Sequence, residues 1–203
     1  MALGTYSELQ LSVADFLNRS DLTAVIPDVI TLAEAEFNRE LRVREMSVRT
    51  RAPIDTQYVK LPDDYLSLTN VDLVTDPITP MQFLDPESLD EYRSNHKTGK
   101  PIYYSILQNN LEFAPVPDAE YIIEIVYYQK VPALATNPTS WLLSAHPDLY
   151  LNATLAQSAP YLQNDERIPT WAGRAQMIME QIKTSDEQAR FSGSTLRPSF
   201  NPY

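Results

Sequence analysis

Apolar residues return every three or four positions at both ends of the chain and about every second position in between. The pattern therefore predicts helices, then strands, then helices again. Thr5-Tyr6-Ser7-Glu8 fits a capping box, and Tyr6, Leu9, Val13 and Phe16 follow at helical spacing. After a break at Asn18–Asp21, Ile26, Ile30, Ala33, Phe37 and Leu41 form a second stripe, entered or kinked at Pro27, with Glu34, Arg39, Glu40, Arg42 and Arg44 on the other face. From about Arg44 the period shortens towards two. Strands are predicted at Met46–Ile54, Gln57–Leu61, Leu66–Val74, Ile102–Leu107, Leu111–Ala114 and Tyr121–Gln129. In YIIEIVYY, Tyr121, Ile123, Ile125 and Tyr127 share one face, and Asn109–Asn110 suits a tight hairpin turn. A short helix is predicted at Pro86–Tyr92.

Helices resume near Ser140. Leu149, Ala153, Ala156 and Ala159 make one stripe, Leu151, Leu155 and Leu162 another, and Pro160 ends or bends the helix near Ala159. A long helix then carries Ile168, Trp171, Ala175, Ile178, Ile182 and Ala189 inward, with Glu180/Lys183 and Asp186/Arg190 pairs on its exposed face. Gly193 closes it. The expected fold class is α+β: a helical bundle built from about 5–44 and 139–191, an inserted β-rich lobe at about 45–131, and an extended tail at about 192–203, together one domain spanning 1–203.

Charge narrows the function. Sixteen basic against 27 acidic residues give a net charge of −11, the wrong sign for a free-standing nucleic-acid binder. No cysteine occurs, which excludes a disulfide framework, a thiolate metal site and a cysteine nucleophile. MALGTYSELQ lacks the basic start and apolar run of a signal peptide, and no apolar stretch approaches the ~18 residues of a membrane span, so assembly in a cytosol is expected, with no membrane partner. Sixteen prolines against four glycines read as rigid connectors, and neither GxGxxG nor a P-loop is present.

Few residues are candidates for chemistry. His146-Pro147-Asp148 reads as acid–base machinery or as a helix start, with Ser144 or His146 at the N-cap, Pro147 in the first turn and Asp148 favoured by the helix dipole. The second reading is preferred, because His96 and His146 lack metal-spaced partners and no GxSxG is present. Asp63–Asp64 and Glu34, Glu36 and Glu40 offer carboxylate pairs of the kind a glycosidase uses, but so acidic a chain produces such pairs by chance. No catalytic, cofactor-binding or metal-binding residue is assigned. Arg39, Arg42, Arg44, Arg49 and Arg51 form either a salt-bridged surface or a positive strip, with Arg49 and Arg51 on one side of a strand. In the tail, Leu196, Pro198, Phe200, Pro202 and Tyr203 surround Arg197 on a proline-stiffened segment suited to docking on a partner.

Several stretches carry a resemblance: AEFNRELRVREM, LPDDYLSL, GKPIYYSI, NLEFAPVPDAEYIIEIVYY, WLLSAHPDLYLNATLAQSAPYLQNDER and the closing DEQARFSG. In this order, from about Ile26 to Gly193, they resemble the head–tail adaptor (connector) proteins of tailed double-stranded-DNA phages. The resemblance implies a structural virion protein of the neck, assembled in the host cytoplasm, without cofactor or active site. It implies a twelve-subunit ring under the portal protein that joins the filled head to a tail, nozzle or tail-terminator protein. Double-stranded DNA would pass through the channel without specific binding, and the tail residues Leu196, Arg197, Pro198, Phe200, Pro202 and Tyr203 would grip the portal. The alternatives are another neck or tail component such as a tail terminator, a carboxylate-dependent cell-wall hydrolase, and a DNA-binding packaging subunit.

Overall fold

A computed structural model describes residues 3–162 and 165–191. The chain divides at Arg44/Glu45 and Lys130/Val131 into two compact units, one made from both ends of the chain and one from the middle. The first division falls where the hydrophobic period changes. Helices build one unit and strands dominate the other, so the fold is α+β.

In the helical unit, α1 (Tyr6–Leu17) opens with the expected capping box: the Thr5 hydroxyl accepts from Glu8 N, and Glu8 Oε2 accepts from Thr5 N at 3.0 Å. Leu9, Val13 and Leu17 face inward. Phe16 was expected there but is exposed, because four residues on from Val13 the helical period reaches Leu17. The helix stops where Asn18 turns left-handed at φ 51°. α2 (Ile26–Glu40) takes Pro27 in its first turn and buries Ile26, Ile30, Ala33 and Phe37; Leu41 continues the stripe beyond its end. α5 (Pro147–Gln157) packs against α1, α2 and α6 (Ile168–Phe191), with Ala153 and Ala175 among the buried residues. Tyr150 on α5 is fully buried and meets Phe37 edge-on, ring centres 5.0 Å apart.

The middle unit has two four-stranded sheets. One runs β1 (Ser47–Ile54), β8 (Tyr121–Gln129), β3 (Tyr65–Leu73), β4 (Thr79–Pro80); the other runs β2 (Tyr58–Lys60), β7 (Asn110–Ala114), β6 (Tyr103–Leu107), β5 (Gln82–Phe83). Ile54, Val71, Leu73, Ile123, Ile125 and Tyr127 from the first sheet share one core with Tyr104, Leu111 and Phe113 from the second. The alternation read in β8 holds: Ile123, Ile125 and Tyr127 are buried. β4 and β5 escaped the sequence because two residues are too few for a period. In the β6–β7 hairpin the positive φ falls on Gln108 (56°), one residue before the expected Asn pair. α3 (Pro86–Asn95) is capped by Asp85, whose carboxylate accepts from Ser88 N at 3.0 Å.

Candidate functional site

His146 joins two helices. α4 (Trp141–Ala145) is capped by the Ser140 hydroxyl, which accepts from Leu143 N at 3.1 Å, and ends on His146. His146 is also the N-cap position of α5, acting through its carbonyl, which accepts from Leu149 N at 3.2 Å; its ring makes no capping bond. Pro147 and Asp148 occupy the first turn. Ser144, the other candidate cap, lies within α4 and donates to the Ser140 carbonyl at 3.0 Å. His96 stacks on Tyr92 in the other unit with ring centres 4.2 Å apart. Among the described residues, no group of three or more His, Cys, Asp or Glu is placed to hold a metal ion.

The carboxylates have structural partners. Asp63 pairs with Lys60 at the surface. Asp64 accepts from the Tyr127 hydroxyl at 3.0 Å; burial, with this carboxylate beside it, pushes the phenol up to about 12. Glu36 accepts from Gln157 Nε2 at 2.7 Å. Glu34 overturns the expected solvated face: it is buried, 5% exposed, and takes the Leu134 N–H at 2.8 Å. Lying four residues from Ile30 and three from Phe37, it sits on the inner face of α2, which is wider than the apolar stripe alone. Burial raises its pKa, against the pull of the Leu134 N–H and the Tyr150 hydroxyl. Asn38, one turn further on, accepts from Val131 N at 2.8 Å, so α2 holds the returning chain at two backbone points.

Asp186 overturns a second expectation. It pairs with Arg190 at 2.7 Å as predicted, but it is buried and also accepts from both the backbone N–H (3.0 Å) and the guanidinium (2.8 Å) of Arg44. Burial alone would raise its pKa; the Arg44 and Arg190 donors outweigh that and hold it below the usual range. The expected Glu180/Lys183 pair is present at 2.9 Å. Arg49 and Arg51 share one face of β1 and both donate to Glu124 of β8 at 2.8 Å, the salt-bridged reading of the arginine run. Arg42 instead donates to the Asn38 carbonyl at 2.9 Å, and Arg39 lies exposed.

Sequence reasoning missed Glu112. It lies between the core residues Leu111 and Phe113, is itself buried, and accepts from Arg93 and, at 2.8 Å, from Gln57. A carboxylate within the short apolar run NLEFA was the available signal. The tail candidates Leu196, Arg197, Pro198, Phe200, Pro202 and Tyr203 lie outside the described residues.

These partners tie the named carboxylates into structure. Residues 4–199 match the family model described as SU10 adaptor protein. The chain belongs to the SU10 adaptor family. The resemblance to phage head–tail adaptors thus stands on nearly the whole chain rather than on one motif. No curated protein matches it. Membership of this adaptor family makes it a phage virion component that works between other virion parts.

Proposed function

We propose that this SU10 adaptor assembles as a dodecameric ring under the portal protein and joins the DNA-filled head to the tail, without catalysing a reaction. The match over residues 4–199 carries this reading. In it, the helices at about 5–44 and 139–191 form the bundle body, the lobe at about 45–131 is inserted into it, and both belong to one adaptor domain. The segment at about 192–203 grips the portal through Leu196, Arg197, Pro198, Phe200, Pro202 and Tyr203.

The acidity supports a passive channel. A dodecamer carries about −130 in total, which repels DNA and lets it slide without specific binding. A channel wall lined mainly by lysine and arginine would contradict this part. The deciding experiment mixes the purified chain with its portal protein and images the product. Rings are expected on the portal, and deletion of Ser194–Tyr203 should abolish them. A chain that stays monomeric beside the portal would refute the adaptor reading.

A further inference from the structure

In the helical unit, α2 and α6 both pack on α5, and above α5 they flank an open groove of about 410 Å³. Its floor is small and apolar: Ala153 of α5 with Ala175 and Met179 of α6, all buried. Glu36 and Glu40 stand on the α2 side, Glu180 and Lys183 on the α6 side. Lys183 bridges the two, to Glu180 at 2.9 Å and to Glu40 at 3.5 Å. One ammonium against three carboxylates leaves the groove net negative, and Arg39 and Arg174 lie outside its lining. An apolar floor between acidic sides fits an apolar segment that carries a positive charge.

Such a segment follows α6 directly. Arg197 is the only charged side chain in residues 191–203, and Leu196, Pro198, Phe200, Pro202 and Tyr203 surround it. The lengths match as well. The groove borders α6 from Ala172 to Lys183, and α6 runs on to Phe191. At ~1.5 Å per helical residue, those levels lie ~12 to ~29 Å back from Phe191. A reversal over residues 192–194, which Gly193 permits, brings the next residues back along α6 at ~3.3 Å each. Arg197 then lies ~10 Å back, level with Lys183 and the carboxylates it bridges; Phe200 at ~20 Å meets Met179, and Tyr203 at ~30 Å meets Ala172. Prolines at 198 and 202 lower the entropy cost of holding the segment extended.

We propose that residues 196–203 dock in the groove of their own chain in the free protein, with Arg197 against Glu40 and Glu180 and Phe200 over Met179. This docking does not depend on the portal reading. Joined to that reading, it makes the groove a holding site for the segment that the portal takes later, since one segment cannot occupy both. The bland alternative is a groove that stays open to water, which favours no register and no sign of charge.

Register and sign are therefore what the test reads. The chain has no cysteine, so introduced pairs report directly. Position 201 comes level with Gln176, which lines the groove, and with Met177, which is 54% exposed and outside the lining. In the full-length protein, a short bis-maleimide should join Q176C to N201C within one chain at least about fivefold more than M177C to N201C. R197E should lower the Q176C–N201C yield at least about fivefold, and adding E40K and E180K should restore it. Melting temperatures near the parent's show that the fold is kept, and R197E carries the test if the added reversals prevent folding. The inference falls if positions 176 and 177 crosslink equally, if R197E changes nothing, or if the folded reversal does not restore the yield. It falls too if the products are crosslinked dimers, which would seat the segment of a second copy. Portal-bound rings formed by a chain with no such crosslink in its free state would overturn the docking and leave the adaptor reading standing. The crosslink in a chain that forms no rings with portal would support the docking and count against that reading.

Discussion

The two units bury carboxylates for different ends. In the lobe, Glu112 and Glu124 are tied to guanidiniums, from Arg93 and from the pair Arg49 and Arg51. In the helical unit, Glu34 and Asp186 reach backbone N–H groups, of Leu134 and Arg44, where the chain leaves or rejoins regular structure. Glu34 marks the extreme, since its described partners, an amide and a phenol, carry no charge. Strands bring side chains of distant segments face to face, so a sheet can pair its charges. A helix presents its inner face to loops, whose unpaired N–H groups are what it must satisfy. Glu124 thus ties two strands and Glu112 ties a strand to α3, whereas Glu34 and Asp186 each anchor a backbone N–H, Asp186 with two guanidiniums beside it.

The largest test of this contrast is Glu112→Ala. It leaves the half-buried Arg93 guanidinium with the exposed Asp90 and takes from Gln57 the Glu112 acceptor, at a cost of about 2–4 kcal/mol. Thermal unfolding followed by circular dichroism should shift accordingly. Both tryptophans, Trp141 and Trp171, lie in the helical unit, so their fluorescence reports on that unit. A cost under about 0.5 kcal/mol would mean that the ion tie contributes little and the contrast is one of geometry only.

Legibility followed the same line. Periodic elements could be read: the α1 cap, the α2 stripe, the alternation in β8 and the junction at His146. What stayed hidden depended on partners far along the chain. Glu34 looked like one of three solvated glutamates, because nothing near it in sequence announces Leu134. Asp186 looked like half of a helix-surface pair, because its other partner, Arg44, lies 142 positions away. The functional assignment was legible only as an ordered set of stretches, since no single one of them carries chemistry.

Asp186→Ala comes next in size. It removes the side-chain acceptor of the Arg44 N–H and one partner from each of two guanidiniums that solvent reaches, so about 1–3 kcal/mol is expected at neutral pH. The folded-state pKa lies below the ordinary value, so the native state binds its proton less readily than the unfolded chain. Its stabilisation is therefore present above the unfolded value near ~3.9 and fades as pH falls through that value towards the folded one. Parent and variant melting curves should converge as pH drops from about 5 towards 3. A gap that persists at the acid end would show that packing, not charge, was lost.

Glu34→Gln is the smallest effect and the sharpest discriminator between the two uses of a buried carboxylate. If Glu34 serves as an acceptor for Leu134 N–H and not as a charge, the amide oxygen of glutamine replaces it. Stability at pH 7 should then change by less than about 1 kcal/mol, whereas Glu34→Ala, which leaves the N–H unpaired in the interior, should cost about 1–3 kcal/mol. The pH dependence reverses that of Asp186. Burial raises the folded-state pKa of Glu34, so its contribution is fullest below the unfolded value near ~4.3 and is lost as pH rises through the folded one. Glutamine cannot titrate, so the variant should gain on the parent as pH climbs out of that window. If glutamine instead proves as costly as alanine at pH 7, the negative charge itself is needed, and Glu34 acts as Asp186 and the buried glutamates of the lobe do.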